Sequence, residues 1–318
     1  MDKDWVASKL HIPDKAVKRA IGGLQNEVFH IETKEGPLIL RLNESSRRTK
    51  DQLQLEIDFI EHLYQKKIKA SRPRQWNGSF IHDWEMENKR VQAVFFEKAK
   101  GTSIRILDDQ FWGSGLFREW GKYIGQMHNA AQTFHHTDIE KKAVRSKDNP
   151  DPEGIKAQLE PEMHSWYTDQ LNALIQHTVK EDTHHLIHHD FHQGNFMMNG
   201  YEIMSFDFDD CMTDWIMQDL AVSLYHGIWQ GNSFRPGEKD LEAQIVNGLL
   251  EGYSSVHRLD DEMINQLFLF LNMRDAVLYP IFKEKWTGAP WQDAYMKQLK
   301  KRLVEGIPYL KRETVLKS

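Results

Sequence analysis

Apolar positions along the chain change their spacing after about the first hundred residues. Residues 27–32 (EVFHIE) and 37–42 (PLILRL) are short β-like runs separated by Lys34-Glu35-Gly36, a pattern that predicts a hairpin. From 49 to 64 the spacing becomes helical, with Leu53, Glu56, Ile57, Ile60, Leu63 and Tyr64 recurring along one face. Residues 91–96 (VQAVFF) predict a further strand that runs out in the polar 97–101 segment, where we place a lobe boundary between 97 and 98. Beyond it helical spacing dominates, at 117–131, 161–179, 215–229, 241–253 and 263–282. Short strand-like pieces interrupt it near 186–188 and 201–208. Residues 141–155 read as an exposed loop, and no internal repeat is found. The expectation is an α+β protein with a small sheet-plus-helix lobe over 1–97 and a larger, mostly helical lobe over 98–318.

Composition narrows the class. The 318 residues are 40% hydrophobic, 28% charged and 11% aromatic, with 10 Pro and 19 Gly, which excludes collagenous, low-complexity and disordered chains. The longest aliphatic and aromatic run, 267–271, is far below the roughly 20 residues that span a bilayer. The charged start of the chain and the lone Cys211 lead us to expect a cytoplasmic protein, with no disulfide within the chain and no membrane partner. Net charge is -6 and unevenly spread. Residues 1–100 carry 19 Lys and Arg against 15 Asp and Glu, the remainder 22 against 32. A mildly basic front and an acidic back suit a protein that handles an anionic ligand. Nucleic acid would call for a concentrated basic face, so no nucleic-acid partner is expected. An uneven surface composition with no functional meaning explains the split about as well.

The densest polar segment is 188–195 (HHDFHQGN), followed by 206–210 (FDFDD). Asp190 and Asn195 are five apart. Asp207 lies twelve beyond Asn195, across a stretch broken by Asn199-Gly200, a strong hairpin signal. A hairpin there predicts that Asn195 and Asp207 come together at one end of a strand pair, the donor set of a hard cation. One carboxylate, Asp190, is then left to accept a hydroxyl proton, while an amide oxygen and a second carboxylate hold Mg2+. The five histidines 184, 185, 188, 189 and 192 raise zinc as an alternative, but alternating histidines in a turn and strand rarely converge on one tetrahedral ion.

These segments resemble the aminoglycoside phosphotransferase and choline kinase-like family, within the protein-kinase-like fold. Residues 188–195 look like its H-G-D-x-H-x-x-N loop and 206–210 like its D-F-D-D signature. Residues 22–29 (GGLQNEVF) are similar to its phosphate-covering turn, and 38–41 to its third strand. Gly125-Gln126-Met127-His128 and Gln218-Asp219-Leu220-Ala221 match two of its helical elements. The resemblance spans roughly 22–253. It implies ATP and Mg2+ as cofactors, Asp190 as catalytic base, and Asn195 and Asp207 as metal ligands. It also implies Arg41 on the nucleotide phosphates, held by Glu56, with Gly22, Gly23 and Asn26 over the phosphates. A hinge at 94–99, including Glu97 and Ala99, would hydrogen-bond adenine. The sequence departs from the family at three of these positions. Arg41 stands for the usual lysine, binding phosphate as a fork and not as a point charge. His189 stands where the family usually has Gly, and Gln193 where it often has Pro.

The function expected on this basis is transfer of the γ-phosphate of ATP to a hydroxyl of a small molecule. The acidic second lobe favours an aminoglycoside-like or amino-alcohol-like acceptor. A Ser/Thr protein kinase of the same family and a catalytically silent nucleotide-binding module are the alternatives, and oligomeric state is not encoded in any feature of the sequence.

Overall fold

The computed structural model describes residues 3–20, 26–86, 89–109, 111–136 and 144–315. The chain divides into two compact units. The first is Met1–Lys100 with Met204–Asp209, and the second is Gly101–Ile203 with Asp210–Ser318. The boundary drawn from sequence lies three residues earlier, and the expected second lobe included 204–209. Those residues pack with the first unit because Ser71 N–H donates to Ser205 C=O at 2.8 Å and Ser205 N–H to Lys69 C=O at 3.1 Å.

The first unit runs α1 (Lys3–Leu10), β1 (Val17–Arg19), β2 (Glu27–Thr33), β3 (Gly36–Glu44), α2 (Lys50–Gln65), β4 (Pro73–Arg74), β5 (Ile81–Met86) and β6 (Lys89–Glu97). These strands form one antiparallel sheet in the order β1-β2-β3-β6-β4, with β5 also on β6. Alternation along β3 and β6 sorts the side chains onto two faces. Leu40, Leu42, Val91, Ala93 and Phe95 join Phe29, Ile31, Trp84 and the α1 residues Val6 and Leu10 in one core. Arg41, between Leu40 and Leu42 and opposite Val94 in the register, belongs to the other face. Helix α2 starts where Thr49 caps it. The Thr49 hydroxyl accepts from Gln52 N–H at 3.2 Å and the Gln52 side chain accepts from Thr49 N–H at 3.0 Å, a reciprocal capping box.

The second unit continues with β7 (Thr102–Ser103), α3 (Ser114–Ala131), α4 (Ile155–Gln158), α5 (His164–Leu174), β8 (His184–Ile187), β9 (Phe196–Asn199), β10 (Glu202–Ser205), whose last two residues pack with the first unit, and β11 (Met212–Trp215). Helices α6 (Met217–Phe234), α7 (Leu241–Ser254), α8 (Asp261–Lys285), α9 (Pro290–Glu305) and α10 (Arg312–Val315) complete it. Two small sheets are embedded, β10-β9-β7 and β11-β8. The β9–β10 hairpin turns at Gly200-Tyr201, one residue later than the expected Asn-Gly pair, with Gly200 at φ +64°. The described part of the expected exposed loop, 144–154, holds no helix or strand, but one of its side chains turns inward. Arg145 is buried, donating to Asp214 from Nε and to Glu153 from Nη2, both at 2.8 Å, which supplies the fully buried Asp214 carboxylate with an opposite charge.

Helices α3 and α7 pack backbone to backbone. A Cβ at Gly121 would lie 1.9 Å from the Leu249 carbonyl oxygen, and one at Gly252 1.9 Å from that of Arg118. Neither obstacle is a flexible side chain, so Gly252→Ala is expected to force the helices apart and cost about 1–3 kcal/mol or more of stability. Chemical denaturation checks this, and a loss below about 0.5 kcal/mol would show that the pair can relax at little cost.

Candidate active site

Arg41 and Glu56 meet inside the first unit. Arg41 Nη1 donates to Glu56 Oε1 at 2.9 Å and Nη2 donates to Oε2, a fork on a carboxylate with the side chains 5% and 2% exposed. The strand period delivers Arg41 to this face and the buried stripe of α2 delivers Glu56. Arg41 Nη1 also lies 3.4 Å from Asp207 Oδ1, and its guanidinium sits 5.0 Å from the centre of the Phe96 ring. Burial alone would lower the Arg41 pKa, but Glu56, Asp209 and Asp207 hold it above the ordinary arginine value.

Asp207 itself adopts φ +63°, a left-handed conformation uncommon for a residue other than glycine, and its carboxylate is 45% exposed. Two residues on, Asp209 is buried against Arg47 and accepts from Asn26 Nδ2 at 2.8 Å, while Arg47 Nη2 donates to Asn26 Oδ1 at 2.7 Å. Burial would raise the Asp209 pKa, yet Arg41, Arg47 and Arg48 lower it to about 2. Asn26 is thus tied into the protein on both sides of its amide. Gly22 and Gly23 lie outside the described residues. In the expected hinge, Glu97 N–H donates to Arg72 C=O at 2.7 Å and Glu97 C=O accepts from the Ser71 hydroxyl. Among the described residues, no protein acceptor takes the Ala99 N–H.

The loop 188–195 belongs to the second unit, and the residue that shapes it is Asp219, near the start of α6. Its carboxylate, fully buried, accepts from His188 N–H at 3.1 Å, His189 N–H at 2.6 Å and His128 Nε2 at 3.2 Å. The two helical motifs read from sequence therefore meet at the loop's entrance. His189 takes φ +71°, which explains why glycine suits this position in the family. Its imidazole Nε2 faces Asp214 Oδ2 at 3.3 Å, a partner that helps offset the backbone cost of about 1 kcal/mol. Burial lowers the His189 pKa, and Glu153 and Asp214 raise it to a net value above normal. Phe191 is fully buried against Tyr123 and Phe196, and its carbonyl accepts from Ser223 Oγ at 2.6 Å.

Asp190 is thereby presented with a 29% exposed carboxylate. Its Oδ1 accepts from Arg274 Nη2 of α8 at 2.6 Å, and its Oδ2 lies 3.6 Å from His192 Nε2. Gly194 N–H donates to His192 Nδ1 at 3.0 Å, which assigns the imidazole proton to Nε2, the atom that faces Asp190. Burial pushes the Asp190 pKa up, but Arg274 and His192 outweigh it and hold the group well below the usual aspartate value. Asn195 Nδ2 donates to the Asp190 carbonyl at 2.8 Å, so its Oδ1 is turned away from that bond, and no described protein donor reaches it. An oriented amide oxygen such as Asn195 Oδ1, in the second unit, and an exposed carboxylate such as that of Asp207, in the first, are each the kind of oxygen donor a hard divalent cation takes. For zinc, no group of three or more His, Cys, Asp or Glu side chains forms a metal-binding cluster among the described residues. Nor is any helix among them long and apolar enough to cross a membrane.

Comparison with known proteins places this architecture. An amicoumacin kinase of Bacillus subtilis (strain 168) is 23% identical over 282 residues, covering 84% of this chain and 80% of that protein. The solved structure of an amicoumacin kinase in complex with AMP-PNP and Ca2+ superposes with a TM-score of 0.86 at 22% identity, over 100% of this chain and 98% of the other. That of a microcompartment-associated aminopropanol kinase reaches 0.68 at 16% identity, over 96% and 98%. They show the two-lobe α+β kinase-like fold. The model of the phosphotransferase enzyme family matches residues 16–256, about three quarters of the sequence, and the chain belongs to that family.

Proposed function

We propose that this phosphotransferase moves the γ-phosphoryl group of ATP to a hydroxyl of a small amine-bearing molecule, with Asp190 as the base. The observation that carries the reading is the loop 188–195. It holds an ionised carboxylate and an unpartnered amide oxygen in fixed orientation through Asp219, Ser223 and Arg274. As the acceptor oxygen bonds to the γ-phosphorus, its proton passes to Asp190 Oδ2 and the bond to the ADP oxygen breaks. Because phosphoryl transfer has a loose transition state, a weakly basic carboxylate that orients the hydroxyl is sufficient. Asn195 Oδ1 and Asp207 are the proposed oxygen ligands of Mg2+, which when bound neutralises charge on the phosphates. Arg41, kept in place by Glu56, contributes a fixed cation for the nucleotide phosphates. The free Ala99 N–H and the Glu97 C=O are the hinge groups proposed for adenine.

The names of the relatives and the acidic charge balance of 101–318 point to an amino-alcohol class of acceptor, with amicoumacin the first compound to assay. Asp207→Ala is expected to abolish the Mg2+-dependent part of ATP affinity, because it removes a carboxylate from an ion with few protein ligands. Calorimetric titration of ATP with and without Mg2+ measures it, and unchanged affinity would remove Asp207 from the metal site. The function itself is tested by incubating the protein with γ-labelled ATP, Mg2+ and each acceptor, and following label into the acceptor.

A further inference from the structure

Arg274 is a buried cation of the second unit that faces the partly exposed carboxylate of Asp190. Its side chain is 8% exposed, and Nη2 donates both to Asp190 Oδ1 at 2.6 Å and to His226 Nε2 at 3.2 Å. His226 is a neutral acceptor here, since burial and then the neighbouring His192 and Arg274 press its pKa well below the ordinary value. Its ring is stacked on His192, with centroids 4.6 Å apart and planes 17° off parallel. The two histidines and the arginine thus form one wall beside Asp190, in which His226 and Arg274 are buried and His192 is partly exposed. The wall is anchored from behind by the next residue. Asp275 accepts from Arg302 Nε at 2.5 Å, from Arg302 Nη2 at 2.8 Å and from the Tyr225 hydroxyl at 2.7 Å, which fixes the rotation of α8 against α9 and α6. Rotation of α8 decides where Arg274 points, so α9 sets the aim of a guanidinium it does not touch.

We propose that Arg274 is a positioning residue for phosphoryl transfer, occupying Oδ1 of Asp190 so that Oδ2 alone is presented to the acceptor hydroxyl. The proposal rests on the reading of Asp190 as the base. A carboxylate on a short side chain rotates freely about its χ angles unless one oxygen is pinned, and a misplacement of the order of 1 Å at the reacting atom costs on the order of 10²-fold in rate. An arginine engaged with the base and with neutral His226 supplies that pin, and a substitution should appear in kcat and not in nucleotide binding.

The test is a double-mutant cycle of kcat on R274Q and D190N, with R274K as the charge-retaining control and thermal unfolding of each protein as the folding check. R274Q is expected to lower kcat on the order of 10²-fold with the KM for ATP within threefold of wild type, and R274K to recover at least tenfold of that loss. In the D190N background R274Q is expected to cost less than threefold, because the carboxylate it aims is gone. Should R274Q fail to fold, R274K is carried through the same cycle, with a smaller but still D190N-dependent loss expected. An unchanged kcat, or a full loss that persists in the D190N background, overturns the positioning role. A D190N enzyme as fast as wild type overturns the assignment of the base instead, so the two failures are read from different corners of the cycle.

Discussion

Replacing Asp190 with Asn is expected to reduce kcat by about 10² to 10⁴ while leaving the affinity for ATP nearly unchanged. The amide keeps the size of the carboxylate and can still accept from Arg274 Nη2 through its oxygen, which lies 2.6 Å away in the native protein. It cannot take the acceptor's proton. The loop itself depends on other groups, since its backbone is held by Asp219 at His188 and His189 and by Ser223 at Phe191. A variant that transfers phosphate at the wild-type rate would exclude Asp190 as the base. A variant that no longer binds nucleotide would show that the carboxylate holds the site together, contrary to the contacts described.

The second large effect is on stability. Glu56→Gln removes the charge that balances Arg41 inside the first unit, where the two side chains are 5% and 2% exposed. Breaking one side of such a pair is expected to cost about 3–5 kcal/mol, because the remaining cation stays desolvated. Asp207 at 3.4 Å and the nearby Asp209 relieve part of this, so the lower end of the range is the expected value. Urea denaturation of the variant measures it. Replacing both partners by apolar residues of similar volume, Arg41→Met with Glu56→Leu, should restore most of the stability and none of the nucleotide affinity. That outcome would separate the pair's structural part from its functional one. A loss below about 1 kcal/mol in Glu56→Gln would mean that water or Asp207 already solvates Arg41.

The elements whose apolar spacing is regular are legible in the sequence. The 27–42 hairpin, the helix beginning after Thr49 and the helices α3, α6, α7 and α8 all lie within a few residues of their expected places. Elements with little or broken periodicity are not. Helix α9 buries only Leu299, Arg302 and Leu303, and β5 buries Ile81 and Trp84 three residues apart. In the candidate site, Asp190, Asn195 and Asp207 are found by local spacing. Their neighbours are not, because Arg274 lies 84 residues beyond Asp190 in the chain. Asp219 sits in a motif visible in the sequence, yet its work of accepting two loop N–H groups is a fact of three dimensions. Arg145 shows the opposite error. A polar segment reads as an exposed loop, and only Asp214, itself fully buried, reveals why its arginine is interior.

The most direct measurement is the fate of the γ-phosphoryl group when the protein, Mg2+ and γ-labelled ATP are incubated with amicoumacin and a panel of simple amino alcohols. Label should appear on an acceptor oxygen as a phosphomonoester, in equal amount to the ADP formed, and its formation should fall by about 10² to 10⁴ in Asp190→Asn. Label released as inorganic phosphate from every mixture, or found on the acceptor's nitrogen, would contradict the account.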